Sequence, residues 1–274
     1  MNNSKAVKKA IVTGAASGIG EAVSDELRSC GFHVTSLDVN PPAHTVDQHI
    51  SMDLADPASV HSAADQLTGT YQILVNAAGI PGTHPDRSVF AVNFLGYRFL
   101  TDIVTRKMQP GSAVVNVASV AGFRWQSHLD PLKELMVTET FDDGLAWFDS
   151  NPVEVSAYAL SKEAMIVHTL TTALRYPQSG VRVNAVLPGP VETPLLPAFE
   201  RSMGKARIDE TKQIVGRHGR PEEIAHTIAF LATDKASWVN GQLLGVDGGV
   251  SAGWAIGSHA TPPRNVQLHS ATAE

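Results

Sequence analysis

Tyr158-Ala-Leu-Ser-Lys162 sets a phenol and an ammonium four residues apart, which on a helix places them on one face. A phenol with a reference pKa of about 10 is a poor base at neutral pH, but a neighbouring cation favours the phenolate. A tyrosine so placed could take the proton of an alcohol while hydride leaves the carbon. By itself the pair also fits the solvated face of an ordinary helix. Upstream, the apolar run Val114-Val-Asn-Val-Ala-Ser119 reads as a strand with Ser119 at its carboxyl end. Open α/β sheets build their sites at that end, and the Ser119 hydroxyl could hold a substrate oxygen.

A second set of residues points to a phosphate-bearing ligand. Thr13-Gly14-Ala-Ala-Ser17-Gly18-Ile19-Gly20 joins a short apolar strand to a helix. Glycines there let the backbone turn tightly and approach a pyrophosphate at the helix N-terminus. A plain strand-to-helix turn would look similar. Asp38 ends the next strand, about twenty residues further on, where a carboxylate accepts from ribose hydroxyls and repels a 2′-phosphate. With Ala15, Ala16 and Ser17 in the turn and no Arg or Lys, NAD is expected rather than NADP. Asp38 as a simple turn former before Pro41 is the alternative.

These residues need a scaffold that brings strand ends together. Strand-like runs recur at Lys9 to Gly14, Phe32 to Leu37, His49 to Met52, Gln72 to Ala77, Ser112 to Ala118, Val181 to Leu187 and Gln242 to Val246. Helical spacing intervenes at Glu21 to Ser29, from Pro57, at Val89 to Met108, at Ser156 to Tyr176 and at Pro221 to Leu231. Strands alternating with helices require crossovers. The expectation is an α/β, doubly wound parallel sheet of about seven strands with helices on both faces, one domain over residues 1–256. Between Gly122 and Ser156 the rhythm breaks, and two amphipathic helices fit, one with Leu129, Leu132, Leu135 and Met136, the other with Phe141, Leu145 and Phe148. The polar tail 257–274 lacks any period and reads as loosely ordered.

Composition narrows the partners. A net charge of −6 with scattered Lys and Arg leaves no footprint for nucleic acid or an anionic membrane, so a small molecule is favoured. No stretch approaches the ~18 apolar residues of a bilayer span, and the N-terminus lacks a signal sequence; a soluble cytoplasmic protein is expected. The lone Cys30 excludes an internal disulfide and reads as a buried, reduced thiol. Eleven histidines without Cys partners or a His-x-x-x-His pair argue against zinc, and His168 reads as a packing or surface residue.

Taken in order, Thr13-Gly-x-x-x-Gly-x-Gly20, Asp38, Asp53-Leu54, Asn76-Ala77-Ala78-Gly79, Asn93, Ser119, Tyr158-x-x-x-Lys162 and Pro188-Gly189-Pro-Val191-Glu-Thr193 resemble the short-chain dehydrogenase/reductase family from about Lys9 to Gly249. That resemblance implies a tetrad. Tyr158 would be the acid/base, Lys162 would lower its pKa and bind the nicotinamide ribose, Ser119 would polarise the substrate oxygen, and Asn93 would support a water-linked proton relay. It also implies that Asp53 and Leu54 flank the adenine, that Asn76 to Gly79 lie near its ribose, and that Thr193 contacts the nicotinamide carboxamide. The segment Pro194 to Arg217 resembles the family's variable substrate-covering loop.

Two departures stand out: a short link from Gly79 to Asn93, and a step of thirty-nine positions from Ser119 to Tyr158, far more than is usual. Both are similar to the branch holding bacterial 3α-hydroxysteroid dehydrogenase/carbonyl reductase and coniferyl-alcohol dehydrogenase. The branch implies a bulky secondary or aromatic alcohol and its carbonyl, with the insertion, the covering segment and the tail building the pocket. Phe123, Trp125, Trp147 and Phe148 would either line that pocket or pack the inserted helices onto the body. The alternatives are an NADPH-dependent carbonyl reductase and a non-catalytic NAD(H)-binding regulator. A homodimer or homotetramer is implied, with the insertion obstructing one interface.

Overall fold

A computed structural model describes residues 7–152 and 154–256; the tail expected to be loosely ordered lies outside the described residues. Seven parallel strands form one sheet: β1 (Lys9–Thr13), β2 (His33–Asp38), β3 (Gln48–Ser51), β4 (Tyr71–Asn76), β5 (Met108–Val117), β6 (Arg182–Pro188) and β7 (Leu243–Val246). Their order is β3-β2-β1-β4-β5-β6-β7, so the chain reverses its direction of travel between β1 and β4. Such a switch point opens a crevice beyond the strand ends. Register aligns those ends: Thr13 stands opposite Leu37 and Asn76, and Asn76 opposite Asn116.

The sheet forms because its strands alternate between two buried faces. Ala10, Val12, Val75 and Val115 meet Val23 and Leu27 of α1 (Gly18–Ser29) on one side. Helix α10 (Pro221–Ala232) lies beside α1 on that face, through Ile224 and Ile228. Ile11, Leu74 and Val114 face α2 (Pro57–Gln66) and α4 (Tyr97–Thr105) on the other. The long α7 (Ala157–Arg175) completes the second layer through Leu160, Ala164 and Met165. A buried polar chain ties the layer to the sheet. Asn76 donates to Asn116 Oδ1 at 2.8 Å and to Thr101 Oγ1 at 3.0 Å, and Asn116 donates to Thr169 Oγ1 at 2.9 Å.

The single helix expected over 89–108 is three pieces: α3 (Asp86–Phe90), a π-helical stretch Ala91–Gly96, and α4, with β5 starting already at Met108. Gly96 permits the close approach, since a Cβ there would lie 2.1 Å from the Leu54 carbonyl oxygen. Cys30 is exposed, not buried as expected, because α1 has ended at Ser29 and Cys30 occupies its C-cap. His168 is buried, packed edge-on against Phe94 and Tyr97 at 6.3 and 5.5 Å, and burial lowers its pKa to about 3.

The insertion folds as the two expected helices, α5 (Leu129–Met136) and α6 (Phe141–Ser150), after short 3-10 turns at Val120–Gly122 and Trp125–His128. Thr140 and Asp143 form a capping box at the start of α6. Phe90 stacks on Phe148 at 4.5 Å and on Trp147 at 6.3 Å, and a Cβ on Gly144 would sit 2.5 Å from Leu95. Arg98, buried on α4, donates to the carbonyls of Leu135 (3.0 Å), Met136 (3.3 Å) and Thr138, so a guanidinium closes the C-terminal end of α5. The covering segment, expected as a loop, holds two helices, α8 (Leu196–Met203) and α9 (Lys205–Val215), separated at Gly204, where φ is +89°. A last helix, α11, runs Val250–Ala255.

Candidate active site

A cleft of about 420 Å³ opens along the carboxyl ends of the strands, from Asp38 and Asp53 at one end to Ser119 and Tyr158 at the other. Its floor is the turn after β1. Gly14 and Gly18 adopt φ of +68° and +61°, conformations that favour glycine. A Cβ on Gly20 would stand 2.0 Å from the Gly14 carbonyl oxygen, so the turn closes only without one. Ser17 caps α1 without a side-chain hydrogen bond, which leaves the first-turn amides of a twelve-residue helix facing the cleft. Asp38 accepts from the Ala16 amide at 3.0 Å and the Asn40 amide at 2.9 Å, which fixes its carboxylate beside the turn.

The wall comes from β4. Thr13 Oγ1 accepts from the amides of Ala77 at 3.0 Å and Ala78 at 3.1 Å, pinning this segment against the glycine turn. Asn93, buried in the π-helical stretch, accepts from the Ile80 amide at 2.8 Å and donates to its carbonyl at 2.9 Å. A side chain on Gly79 would meet Asn93 Oδ1 at 3.3 Å and Lys162 Nζ at 3.8 Å, so those two groups flank Gly79. Leu54, Pro188, Gly189 and Val191 line the cleft, and Thr193 lines it against Gly18. Two expected residues do not line the cleft: Asn76, whose amide nitrogen is spent joining β4 to β5 and α4, and Asn93, which lies buried behind Gly79 with its amide bonded to the Ile80 backbone.

Ser119, Tyr158 and Lys162 converge. Ser119 Oγ accepts from the Ala121 amide at 3.1 Å, which leaves its proton free to point elsewhere. Burial raises the Tyr158 phenol and interaction with the Ser119 hydroxyl opposes it, leaving the phenol at about 12. Burial takes Lys162 down to about 8. Its Nζ donates to the Val117 carbonyl at 2.9 Å and stands 5.7 Å from the Tyr158 ring centroid. The expected lowering of the phenol by this ammonium is therefore outweighed here, since the backbone carbonyl holds Nζ and desolvation dominates.

The aromatic residues of the insertion do not form the pocket. None of Phe123, Trp125, Trp147 and Phe148 lines the cleft; the last three pack the insertion onto the body, and Phe123 backs Trp254 at 5.8 Å. The wall over Ser119 and Tyr158 is instead Phe199 and Met203 of α8, Ile208 of α9 and Trp254 of α11. Phe199 meets the Tyr158 ring edge-on at 5.1 Å. Phe199, Met203 and Ile208 lie in the segment expected to cover the site, though sequence reasoning did not single them out, and it missed Trp254; Leu196, Phe199 and Met203 fall on one helical face, a signal of a covered site. Among the described residues no group of His, Cys, Asp and Glu is placed to hold a metal, and no helix is long and apolar enough to cross a membrane.

Comparison with known proteins bears directly on this arrangement. Residues 8–130 match the family model described as short chain dehydrogenase, and residues 148–251 match that described as enoyl-(acyl carrier protein) reductase. The chain belongs to the short-chain dehydrogenase/reductase family and is an oxidoreductase of the nicotinamide-dependent kind. It is 38% identical over 247 residues to the coniferyl-alcohol dehydrogenase of Pseudomonas sp. strain HR199, covering 89% of this chain and 97% of that one. It also resembles the solved 3α-hydroxysteroid dehydrogenase of Pseudomonas sp. B-0831 complexed with NADH, with a TM-score of 0.76 and 30% identity over 93% of this chain and 100% of that one. A dehydrogenase structure from Beutenbergia cavernae with bound NADP aligns with a TM-score of 0.71 at 29% identity, over 91% and 98% of the two chains.

Proposed function

We propose that this chain is an NAD-dependent dehydrogenase that interconverts a secondary or aromatic alcohol, carried on a bulky apolar frame, with its carbonyl. The observation that carries the reading is the meeting of Ser119, Tyr158 and Lys162 at the apolar end of a cleft whose other end holds Asp38. The residues fit a dinucleotide. The α1 amides and the glycine turn suit a pyrophosphate, Asp38 suits a ribose diol, and Asp53 with Leu54 the adenine. Lys162, Gly189, Val191 and Thr193 would hold the nicotinamide end, which supplies the hydride chemistry. Preference for NAD over NADP rests on Asp38 and on the absence of Lys or Arg from Ser17–Gly20 and Val39–Asn40.

In the oxidising direction Tyr158, as phenolate, takes the alcohol proton. Ser119 donates to the substrate oxygen, using the proton that its bond from Ala121 leaves available. Lys162 stabilises the phenolate, and the gap between Asn93 and Lys162 around Gly79 is the place we assign to proton relay. Phe199 and Trp254 provide flat apolar surfaces suited to a ring-bearing substrate, in keeping with the alcohol named for the Pseudomonas relative. Tyr158→Phe is expected to retain NAD binding by fluorescence titration and to lose at least about 1000-fold in kcat on an alcohol panel. Near-normal turnover would refute the mechanism, and higher kcat/KM with NADP would refute the cofactor.

A further inference from the structure

Glu163 is a buried carboxylate that the reaction above does not use. It follows Lys162 on α7, is 1% exposed, and burial raises its pKa against the opposing pull of His128 and Arg124. Its Oε2 lies 2.7 Å from His128 Nδ1. His128 ends the second 3-10 turn of the insertion, nine residues after Ser119. The intervening chain also rests on α7: a Cβ on Gly122 would stand 2.9 Å from the Lys162 carbonyl carbon and 2.8 Å from Ile166 Cδ1. The chain around Ser119 thus meets the Lys162 turn of α7 at Val117, whose carbonyl accepts from Lys162 Nζ at 2.9 Å, at Gly122 by van der Waals contact, and at His128 by a hydrogen bond.

We propose that His128 and Glu163 are positioning residues that fasten segment 119–128 to α7 and so set the separation between Ser119 and Tyr158. The inference rests on the assignment of those two side chains to the substrate oxygen. A buried carboxylate with its hydrogen-bond partner is often no more stabilising than well-packed apolar side chains. What it adds is direction at the far end of the segment: one nitrogen and one oxygen at 2.7 Å fix a spacing at residue 128, beyond the contacts at Val117 and Gly122. The long insertion creates the need, because Ser119 and Tyr158 are joined by thirty-eight intervening residues rather than by a short connection. Displacing a reacting group by about 1 Å costs on the order of 100-fold in rate.

The test compares His128→Leu, Glu163→Leu, the double variant His128→Leu/Glu163→Leu and His128→Asn, which keeps a donor near the Nδ1 position. Each single leucine variant is expected to lose roughly 10- to 100-fold in kcat, with the NAD Kd and the alcohol KM unchanged within about threefold. His128→Asn is expected to restore most of kcat. The double variant discriminates: with no buried charge left unpaired it regains thermal stability, yet its kcat stays low. Recovery of wild-type kcat together with stability would overturn the proposal, leaving the pair a packing feature. His128→Ser, which trims only the partly exposed partner, gives a second reading if the leucine pair does not fold: reduced kcat at unchanged NAD Kd supports the proposal, and unchanged kcat overturns it. Tyr158→Phe run alongside separates the two claims. If it stays active the assignment of the site fails, and if it is inactive while the double variant is fast only the positioning role fails.

Discussion

At the scale of single residues, the site sets two titrating groups against each other. Burial drives the Tyr158 phenol up to about 12 and the Lys162 ammonium down to about 8, so at neutral pH the phenol is protonated and suited to act as an acid. Oxidation needs the phenolate, whose fraction grows with pH, and reduction needs the phenol, whose fraction falls. Alcohol oxidation is therefore expected to speed up toward about pH 8 and level off as Lys162 loses its charge, and carbonyl reduction to slow above about pH 8, as measured by kcat/KM in each direction. A rate of oxidation that falls as pH rises would contradict Tyr158 as the base. Because the Ser119 hydroxyl is what lowers the phenol, Ser119→Ala should move the rise in oxidation to higher pH as well as depress kcat.

Among the elements, the insertion is where local pattern and tertiary role diverge. Its two helices were legible from the spacing of Leu132, Leu135, Phe141 and Phe148, and they form where the pattern puts them. Their aromatic residues gave no sign of which surface they would face, and they face Phe90 and Leu95 rather than the cleft. Arg98 was silent in the sequence because its partners are carbonyls about forty positions away. Removing it takes the guanidinium donor from the Met136 and Thr138 carbonyls and empties a buried site, while the Leu135 carbonyl keeps the Thr138 amide and hydroxyl. Arg98→Met is expected to lower the unfolding free energy by about 3 kcal/mol in urea titration, and a change under about 0.5 kcal/mol, the range of ordinary surface substitutions, would show the cap to be dispensable.

For the whole molecule, the insertion covers the α3 and α7 face, and the sheet ends in two edge strands, β3 and β7. Trp238 is 99% exposed beside β7, whose Leu244 is also exposed. If the chain self-associates, the exposed apolar side chains at the β7 edge are one candidate contact. Trp238→Lys is expected to shift light-scattering mass toward the monomer without altering NAD binding; unchanged mass would place the contact elsewhere. Deleting the insertion would be a poorer test, since Leu132, Leu135 and Trp147 are part of the core.

What the sequence determined alone was whatever depends on neighbours along the chain. Glycines at Gly14 and Gly18 report left-handed backbone, the four-residue step from Tyr158 to Lys162 reports a shared helix face, and the alternation of strands and helices reports a parallel sheet with its strand ends on one side. Only the tertiary structure decided that Asn76 braces the sheet instead of lining the cleft, that α8 and α11 rather than the insertion wall the substrate end, and that Glu163 reaches back to His128. Each of these turns on which side chains meet at separations of 25 or more positions along the chain. Local spacing carries no record of such meetings, because packing selects them only once the whole sheet has closed.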